Sequence, residues 1–215
     1  MNIKKYVLLI LLGVIFSSSV VAQHTGSNSP YSRYGFGLLT DRAQSFNKGM
    51  SGLSYGMQSG TELNMKNPAT YASIDSLAFL FDLGLSLQNG NISQDGKRVN
   101  ARNAAIDYLS MGFRIAPGLG MSLGLMPYST IGYNISQDGR INSDYGEVTK
   151  TDAYSGEGGL HEVYVGLAWK PFKPISIGAN VGYLWGDMTH TVLTSFSNTA
   201  IKSRRLMYNT DLRTY

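Results

Sequence analysis

The 215-residue sequence has no cysteine, few charged side chains and no unbroken run of about 20 apolar residues. Without cysteine, thiol catalysis, zinc–thiolate sites and a disulfide scaffold are excluded. Charged residues make up 15% of the chain, whereas an average soluble domain has about 25%. The composition therefore excludes a charge-rich disordered chain and a bundle of membrane-spanning helices.

The sequence is instead rich in glycine and aromatic residues, with 25 Gly and 14 Tyr, which favours an all-β chain. Its net charge is +4, and Lys4 and Lys5 contribute half of that charge. The rest of the chain is close to neutral, so we expect no nucleic-acid partner.

The N-terminus has the pattern of a secretory signal peptide. Two lysines precede the apolar stretch Tyr6–Phe16, and small side chains occupy the −3 and −1 positions of a cleavage site after Ala22. An uncleaved anchor is the alternative, but an apolar core of about ten residues is short for a membrane helix. We therefore predict a signal peptide over residues 1–22 and an exported protein.

From Leu77 onward, large apolar side chains occur at every second position, which is the period of a β-strand whose two faces differ. The alternate positions carry mostly Gly, Ser and other small or polar residues. Helical spacing does not sustain a period of two over five segments. The apolar series is Leu77, Phe79, Phe81, Leu83, Leu85 and Leu87; Leu109, Met111, Phe113 and Ile115; Leu119, Met121, Leu123 and Leu125; Val163, Val165, Leu167 and Trp169; and Ile175, Ile177, Ala179, Val181, Tyr183 and Trp185.

Two architectures give this alternation, a soluble antiparallel sandwich or barrel and a transmembrane antiparallel β-barrel. Glycine on the small face favours the membrane barrel, because glycine weakens a solvent-exposed strand. The segments also exceed the roughly ten residues with which a tilted strand crosses a bilayer. Aromatic residues near the strand ends are typical of interfacial girdles. The predicted girdle residues are Tyr108, Tyr133, Tyr164, Trp169, Tyr183 and Trp185.

The connections predict the orientation of the barrel. Ala116–Gly118 and Pro171–Lys173 have the composition of short periplasmic turns, and Gln94–Lys97 and the polar stretch Ser136–Gly159 that of outer loops. The parity of the apolar positions predicts a three-residue loop at Gln94–Gly96 and odd-length connections at the two short turns.

A short repeat, Asn-Ile-Ser-Gln-Asp-Gly, begins at Asn91 and again at Asn134. Asp-Gly favours turns, so both copies are predicted at hairpin tips, with a matched pair of binding sites as the alternative. About six strands are predicted, whereas bacterial single-chain barrels have at least 8. We therefore expect the chain to end within a larger barrel. The predicted strands are 77–94, 98–115, 119–135, 160–170, 174–195 and 204–215.

Residues 23–76 precede the strands and do not alternate. They are rich in Gly, Ser and Asn, but Leu53, Met57, Leu63 and Met65 make the stretch too apolar for a linker. We predict that it forms a hatch, a plug packed inside the barrel, and that 77–215 forms the barrel wall. Since proline restricts the residue before it, Asn67-Pro68-Ala69 is expected to be an ordered turn into the first strand.

The order of these parts resembles the FadL/TodX/OmpP1 family of outer-membrane transporters, most closely its Bacteroidetes branch. The resemblance rests on the signal peptide, on the glycine-rich segment that ends in Asn67-Pro68-Ala69, and on the stretches Ser29–Gly37 and Gly158–Phe172. It implies a 14-stranded barrel with an N-terminal hatch that takes up long-chain fatty acids or other hydrophobic compounds.

No residue pattern indicates catalysis, a metal or a cofactor. The three histidines, His24, His161 and His190, are scattered without a carboxylate at ligand spacing, and there is no nucleophile elbow or phosphate-binding loop. We predict a non-enzyme. Alternation places four polar residues on the lumen face, where they could anchor the hatch or contact a ligand headgroup: Asp82, Ser86, Arg114 and Asn180.

The leading functional prediction is a passive outer-membrane channel, a porin-like transporter for hydrophobic small molecules. Its partners would be outer-membrane lipid, lipopolysaccharide and the hydrophobic ligand. The first alternative is a non-transport barrel that acts as a partner subunit of a surface or secretion complex. The second is a small structural barrel.

Overall fold

The computed structural model describes residues 29–94, 97–143, 146–197 and 201–215. The predicted signal peptide at 1–22, His24 and the turn residues Asp95 and Gly96 lie outside the described residues. Across the described part, no helix combines the length and the apolar character needed to span a bilayer.

Short elements come first, and long strands follow. The N-terminal part contains a first 3-10 helix (Pro30–Arg33), β1 (Leu38–Leu39), α1 (Ser45–Gly49) and a second 3-10 helix (Pro68–Ser73). Six long strands then complete the described chain. They are β2 (Phe79–Gln94), β3 (Lys97–Ala116), β4 (Leu119–Ser143), β5 (Gly146–Phe172), β6 (Ile175–Phe196) and β7 (Arg204–Thr214).

The long strands form one antiparallel sheet in the order β2-β3-β4-β5-β6-β7, and β1 pairs with β4. The predicted all-β antiparallel fold is confirmed. Every long strand lies beside its neighbour in sequence, as hairpin connections dictate. Over the described residues, β2 and β7 are the two edges of the sheet.

The two faces of the sheet differ as the alternation predicts. On β2, the side chains from Phe79 to Leu87 at odd positions are 49% to 87% exposed, although all are large and apolar. We call this side the outer face. On the other side, here called the inner face, Ser110, Ser122 and Tyr164 are completely buried, because the N-terminal part of the chain packs there.

The predicted outer loop Ser136–Gly159 is wrong. Both of its halves are strand, and β4 and β5 pair without interruption from Ser129↔Leu160 to Ser143↔Gly146. The second repeat copy, which begins at Asn134, therefore lies within β4 and not at a hairpin tip. The stretch lacks apolar alternation because its outward side chains are polar.

The three-residue loop predicted at Gln94–Gly96 is also wrong, because Gln94 pairs directly with Lys97. The direct pairing of Gln94 with Lys97 places odd positions of β2 opposite even positions of β3. The apolar series of both strands still share the outer face, because the register shifts where Gly84 pairs with Tyr108 and Leu85 with Ile106. The extra residue, Asp107, forms a β-bulge, and beyond it the even positions of β3 face outward. Ile106 is accordingly 64% exposed.

At the two short connections, too, a two-residue turn is combined with a register shift in the adjoining strands. Ala116 pairs with Leu119 and Phe172 with Ile175, so each turn has two residues and not the predicted odd number. Register shifts between Arg114 and Ala116, and again just before Phe172, keep the apolar side chains of the paired strands on the outer face. In the first turn Gly118 has φ +75°, a conformation that glycine adopts without strain.

Part of the predicted aromatic girdle is wrong. Tyr108, Tyr133 and Tyr164 are 5%, 7% and 0% exposed and lie on the inner face. The physical reason is that they contact the N-terminal part of the chain or the core beneath it, and not lipid. Trp169 and Tyr183, in contrast, are 58% and 40% exposed on the outer face.

Candidate functional site

The candidate site is the contact between the inner face and residues 29–78, which we call the N-terminal segment. The segment has little regular structure, so most of its buried backbone groups must find partners outside a strand ladder. Four levels of contact supply many of these partners. They follow one another along the sheet, from the two-residue turns toward the far end of the β4–β5 hairpin.

At the first level, the second 3-10 helix lies against glycines of the wall. A Cβ atom at Gly120 would be 1.8 Å from the Tyr71 carbonyl oxygen, and one at Gly178 would be 2.5 Å from the Ala69 nitrogen. Any side chain at these two positions would displace the backbone of the helix. Tyr71 is 1% exposed and packs with the buried cluster of Leu63, Ala72, Ile74 and Ala168.

At the second level, one glutamine joins the segment to the wall. The Gln44 Nε2 donates to Ser110 Oγ at 3.0 Å, and its Oε1 accepts from the Met65 backbone N–H at 3.0 Å. Asn180 Nδ2 donates to the Met65 carbonyl at 2.9 Å. Gln44 is 1% exposed, so both ends of its amide are satisfied without water.

At the third level, charged groups of the segment meet opposite charges of the wall. Arg42 Nη2 lies 2.8 Å from Glu162 Oε2, and the Glu162 side chain is only 9% exposed. Lys48 pairs with Asp107, the bulge residue of β3. Such pairing is what a buried carboxylate requires, because an unpaired one costs several kcal/mol.

At the fourth level, the segment runs along an edge of β4. The pairing of β3 with β4 stops at Leu109↔Leu125, so β4 has a free edge beyond that point. β1 covers it, with Leu38 opposite Thr130 and Leu39 opposite Ser129. Ser29 N–H donates to the Gly132 carbonyl at 3.2 Å. The segment thereby satisfies strand groups that β3 leaves unpaired.

The segment is also held together internally. Lys66 Nζ lies 2.5 Å from Asp41 Oδ1, and the Ala43 N–H donates to the same oxygen at 3.2 Å. The hydrogen bond from Lys66 holds the pKa of Asp41 below its ordinary value of 3.8. Asn64 Nδ2 donates to the Ser54 carbonyl at 2.7 Å. These contacts define a folded unit of short elements.

The segment contains a small cavity. A cavity of about 190 Å³ lies among Phe46, Asn47, Met57 and Leu63 and is lined by residues of the segment. Sites for small organic ligands have about 300–1,000 Å³. Within the described residues, no group of three or more His, Asp or Glu side chains is placed to hold a metal ion.

A family model named BamG matches residues 2–213. The chain belongs to the BamG family. BamG points to the bacterial outer membrane and to association with the BAM complex there. Comparison with curated proteins and with solved structures found no match.

Membership of the BamG family overturns the resemblance to FadL/TodX/OmpP1, which is wrong. That resemblance depended on the order of parts, a signal peptide and a glycine-rich segment that ends in Asn67-Pro68-Ala69 before alternating strands, and on the stretches Ser29–Gly37 and Gly158–Phe172. Glycines at the contact with the segment are required by close backbone approach, whatever the barrel does.

The prediction of a passive channel or porin for hydrophobic compounds is wrong for the same reason. BamG supports the alternative, a partner subunit of an outer-membrane complex. The N-terminal segment packs on the inner face of the sheet.

The structure places the predicted motif and polar candidates at different levels. Asn67 Nδ2 donates to the Tyr55 carbonyl at 2.9 Å and not to its own backbone, and Pro68 and Ala69 begin the second 3-10 helix. Asn180 contacts the segment at the second level. Arg114 Nε donates to the Ala116 carbonyl at the first short turn and so lies apart from the other three candidates.

Asp82 and Ser86 are linked to the N-terminal segment only through other wall residues. Tyr108 donates its hydroxyl to Asp82 Oδ1 at 3.4 Å and accepts from the Ser45 N–H at 2.5 Å. Ser86 Oγ donates to Asp107 Oδ1 at 2.8 Å. No partner within the structure reaches Asp82 Oδ2, which is buried.

Sequence reasoning missed several residues of this contact. Ser110, Glu162 and Tyr164 occupy even positions on the face opposite the apolar series, so alternation could have found them. Asp107 occupies an odd position in β3, and alternation alone predicts that it faces outward; only the bulge turns it inward. Arg42 and Gln44 belong to the segment, where no periodic pattern identifies inward residues.

Proposed function

We propose that this chain is a non-catalytic subunit of the BAM complex, the β-barrel assembly machinery of the outer membrane. In this proposal the protein is exported with a signal peptide over 1–22 that is then removed. Residues 23–76 act as the hatch, and the strands from 77 onward contribute wall to a barrel surrounded by outer-membrane lipid and lipopolysaccharide. The observation that carries the proposal is the BamG match over 2–213.

The geometry supports a subunit whose inner face is held against the N-terminal segment. Contacts at four levels hold the segment on the inner face, and they include backbone at glycine, a buried amide and paired charges.

The test is co-purification from the native host. The full-length chain, with an affinity tag at its C-terminus, is extracted in mild detergent, and the proteins bound to it are identified by mass spectrometry. We expect the other BAM subunits to be recovered in constant ratio to the tagged chain. An equally abundant outer-membrane barrel outside the complex, carrying the same tag, is the matched control.

Depletion of the chain provides the second measurement. If the protein serves barrel assembly, the amounts of several unrelated folded outer-membrane barrels fall together. Recovery of BAM subunits at the control level, with unchanged amounts of other barrels after depletion, would refute the proposal.

A further inference from the structure

Two neighbouring strands of the wall separate part-way along their length. Within the described residues, β3 pairs with β4 only as far as Leu109↔Leu125. Beyond that level β3 continues beside β2, and β4 continues beside β5. We call the opening between β3 and β4 the seam, and the paired residues 129–143 and 146–160 the β4–β5 extension. The seam lies inside the sheet, away from its two edges.

Each of the two strands carries one extra residue where the seam begins. In β3 it is Asp107, where the register with β2 shifts. In β4 it is Tyr128, where the register with β5 shifts between Pro127 and Ser129. A β-bulge bends its strand and increases the local twist, and proline cannot donate a hydrogen bond to a ladder. The two bulges therefore turn β3 and β4 away from each other without ending either strand.

The two strands nevertheless stay matched across the seam. Since each has gained one residue, the register of their ladder continues unchanged and places Ala104 opposite Thr130 and Ala105 opposite Ser129. The faces agree with this register. Ala104 is exposed and shares the outer face with Ile106, whereas Ser129 is 1% exposed on the inner face. β3 is therefore matched to continue the ladder with β4.

The N-terminal segment occupies the place that β3 leaves. β1 pairs Leu38 with Thr130 and Leu39 with Ser129, the same two residues of β4 that the continued register assigns to β3. The backbone groups on one edge of a strand pair with a single neighbouring strand. β1 and β3 therefore exclude each other at these positions of β4.

β1 is held weakly on this edge. It is two residues long, and Leu39 is 69% exposed. The hydroxyls of Ser129 and of Thr40, the residue that follows β1, are buried without a hydrogen-bond partner among the described residues. A buried hydroxyl without a partner is unfavourable. β3, in contrast, offers a continuous strand from Lys97 to Ala105.

The outer face beside the seam is apolar. Ile106 is 64% exposed there, and Leu87, which pairs with Ala104, is 87% exposed. These side chains continue the outward apolar series of the wall, which we call the apolar band. In the lipid environment of the proposed function, an unpaired strand edge is costly because no water reaches its backbone groups. Lipid therefore favours closure of the seam by pairing of β3 with β4.

We propose that the N-terminal end of the segment is a removable wedge in the wall. In one state residues 29–40 pair with β4 and hold the seam open, as in the structure. In the other state these residues leave β4, and β3 pairs with it in the continued register. The rest of the segment stays on the wall through the first three levels of contact. The inference goes beyond the proposed function, because it concerns a change within this chain and requires no BAM partner.

Disulfide trapping in the full-length chain distinguishes the two states, because the chain has no native cysteine. Directly opposed Cβ atoms on paired strands are within disulfide reach. Ala104→Cys/Thr130→Cys therefore reports the closed seam, and Leu38→Cys/Thr130→Cys reports the inserted wedge. Ala105→Cys/Thr130→Cys is the matched control, since it is one residue out of register. Leu87→Cys/Ala104→Cys, across an existing ladder, shows that the wall is folded and that the oxidant reaches this level.

The variants are oxidised in isolated outer membranes of the native host. We expect both reporter pairs to form disulfides and the out-of-register control to react about tenfold more slowly. A rate for Ala104→Cys/Thr130→Cys that does not exceed the control rate would overturn the inference. The result is scored whether or not BAM subunits are recovered, so failure of the proposed function remains a separate outcome.

Trypsin then shows whether closure of the seam releases the wedge. In the structure the Arg33 guanidinium lies 4.2 Å from the ring centre of Tyr154, a residue of the β4–β5 extension. The disulfide between positions 104 and 130 should expose Arg33 to cleavage, the one between positions 38 and 130 should protect it, and reduction should abolish the difference. A closed seam with Arg33 still protected would overturn the inference.

Thr40→Pro tests the balance between the two states. It removes the N–H that donates to the Tyr128 carbonyl at 3.0 Å when the wedge is inserted. We expect the disulfide between positions 104 and 130 to form about fivefold faster, as loss of one backbone hydrogen bond implies, and the one between positions 38 and 130 to form more slowly. Unchanged rates, or a fall in both, would overturn the inference.

Discussion

The wall strands and the N-terminal segment are built by different rules. In the wall, each residue's place follows from its neighbours two positions away, and backbone pairs from adjacent strands repeat along the sheet. In the segment, single side chains from distant parts of the sequence supply the contacts, such as Gln44 with Ser110 and Asn180 with Met65. A periodic sheet can therefore hold an aperiodic segment in one position, provided that the sheet allows close backbone approach and supplies a few polar partners.

The largest expected effect comes from the close approach of the segment backbone to wall glycines. Gly120→Ala would prevent this approach. The added methyl would meet the Tyr71 carbonyl at 1.8 Å, a distance that only movement of the second 3-10 helix can relieve. We expect a loss of about 3 kcal/mol in the free energy that holds the segment on the wall. Limited proteolysis of the purified chain should then cleave within residues 50–75.

Gly139→Ala is the matched control for Gly120→Ala. Gly139 also lies in β4, but its added Cβ would have its nearest neighbour at 4.0 Å. The control should keep the proteolytic pattern of the wild type. Equal sensitivity of the two variants would show that glycine serves the strand itself and not the contact with the segment.

The buried amide gives the next largest effect. Gln44→Ala removes both hydrogen bonds and leaves the Met65 N–H without its acceptor in a buried site, which costs about 2–3 kcal/mol. A fluorophore on the single cysteine of Tyr55→Cys reports release of the segment in guanidinium chloride. The midpoint for Gln44→Ala should fall clearly below that of Gln58→Ala, in which an exposed bond to Ser73 is lost. Equal midpoints would show that the buried amide of Gln44 does not stabilise the contact between the segment and the wall.

The charge pair at the third level should respond asymmetrically. Arg42→Ala leaves Glu162 without its partner at 9% side-chain exposure, whereas Glu162→Ala leaves an arginine that is 38% exposed and can be hydrated. We expect Arg42→Ala to cost about 2 kcal/mol and Glu162→Ala about half of that in the same release assay. The reverse order would mean that the carboxylate is hydrated in solution and that the third level is looser than the structure indicates.

Alternation predicts the wall's faces because one face is apolar and the other is not. It fails at three kinds of place. Bulges such as Asp107 reverse the faces without a composition signal. The β4–β5 extension loses the alternation beyond the apolar band, so polar strand resembles loop. Inward tyrosines such as Tyr164 have the same composition as girdle residues, and only the presence of the segment distinguishes them.

The segment was less predictable, since its contacts join residues far apart in sequence. Its apolar content and Asn67-Pro68-Ala69 indicate a packed segment with an ordered turn. They do not indicate which wall residues it touches. Gln44 illustrates the limit, because nothing near it in sequence specifies that Ser110, 66 positions away, will accept its hydrogen bond. Of the four polar candidates, Asn180 is the one that the structure joins directly to the segment.

The smallest expected effect concerns the ion pair inside the segment. Asp41→Asn keeps the acceptor for the Ala43 N–H and removes only the charge that pairs with Lys66. Since Lys66 lowers the pKa of Asp41 below 3.8, the folded segment favours the ionised form. Its contribution is therefore complete above pH 3.8 and is lost as the pH falls through the lowered pKa. The Asp41 side chain is 54% exposed, so we expect less than about 1 kcal/mol. The release midpoints of wild type and Asp41→Asn should differ at pH 6 and approach each other as the pH falls below 3.8. A constant difference across that range would show that the aspartate acts through its hydrogen bonds and not through its charge.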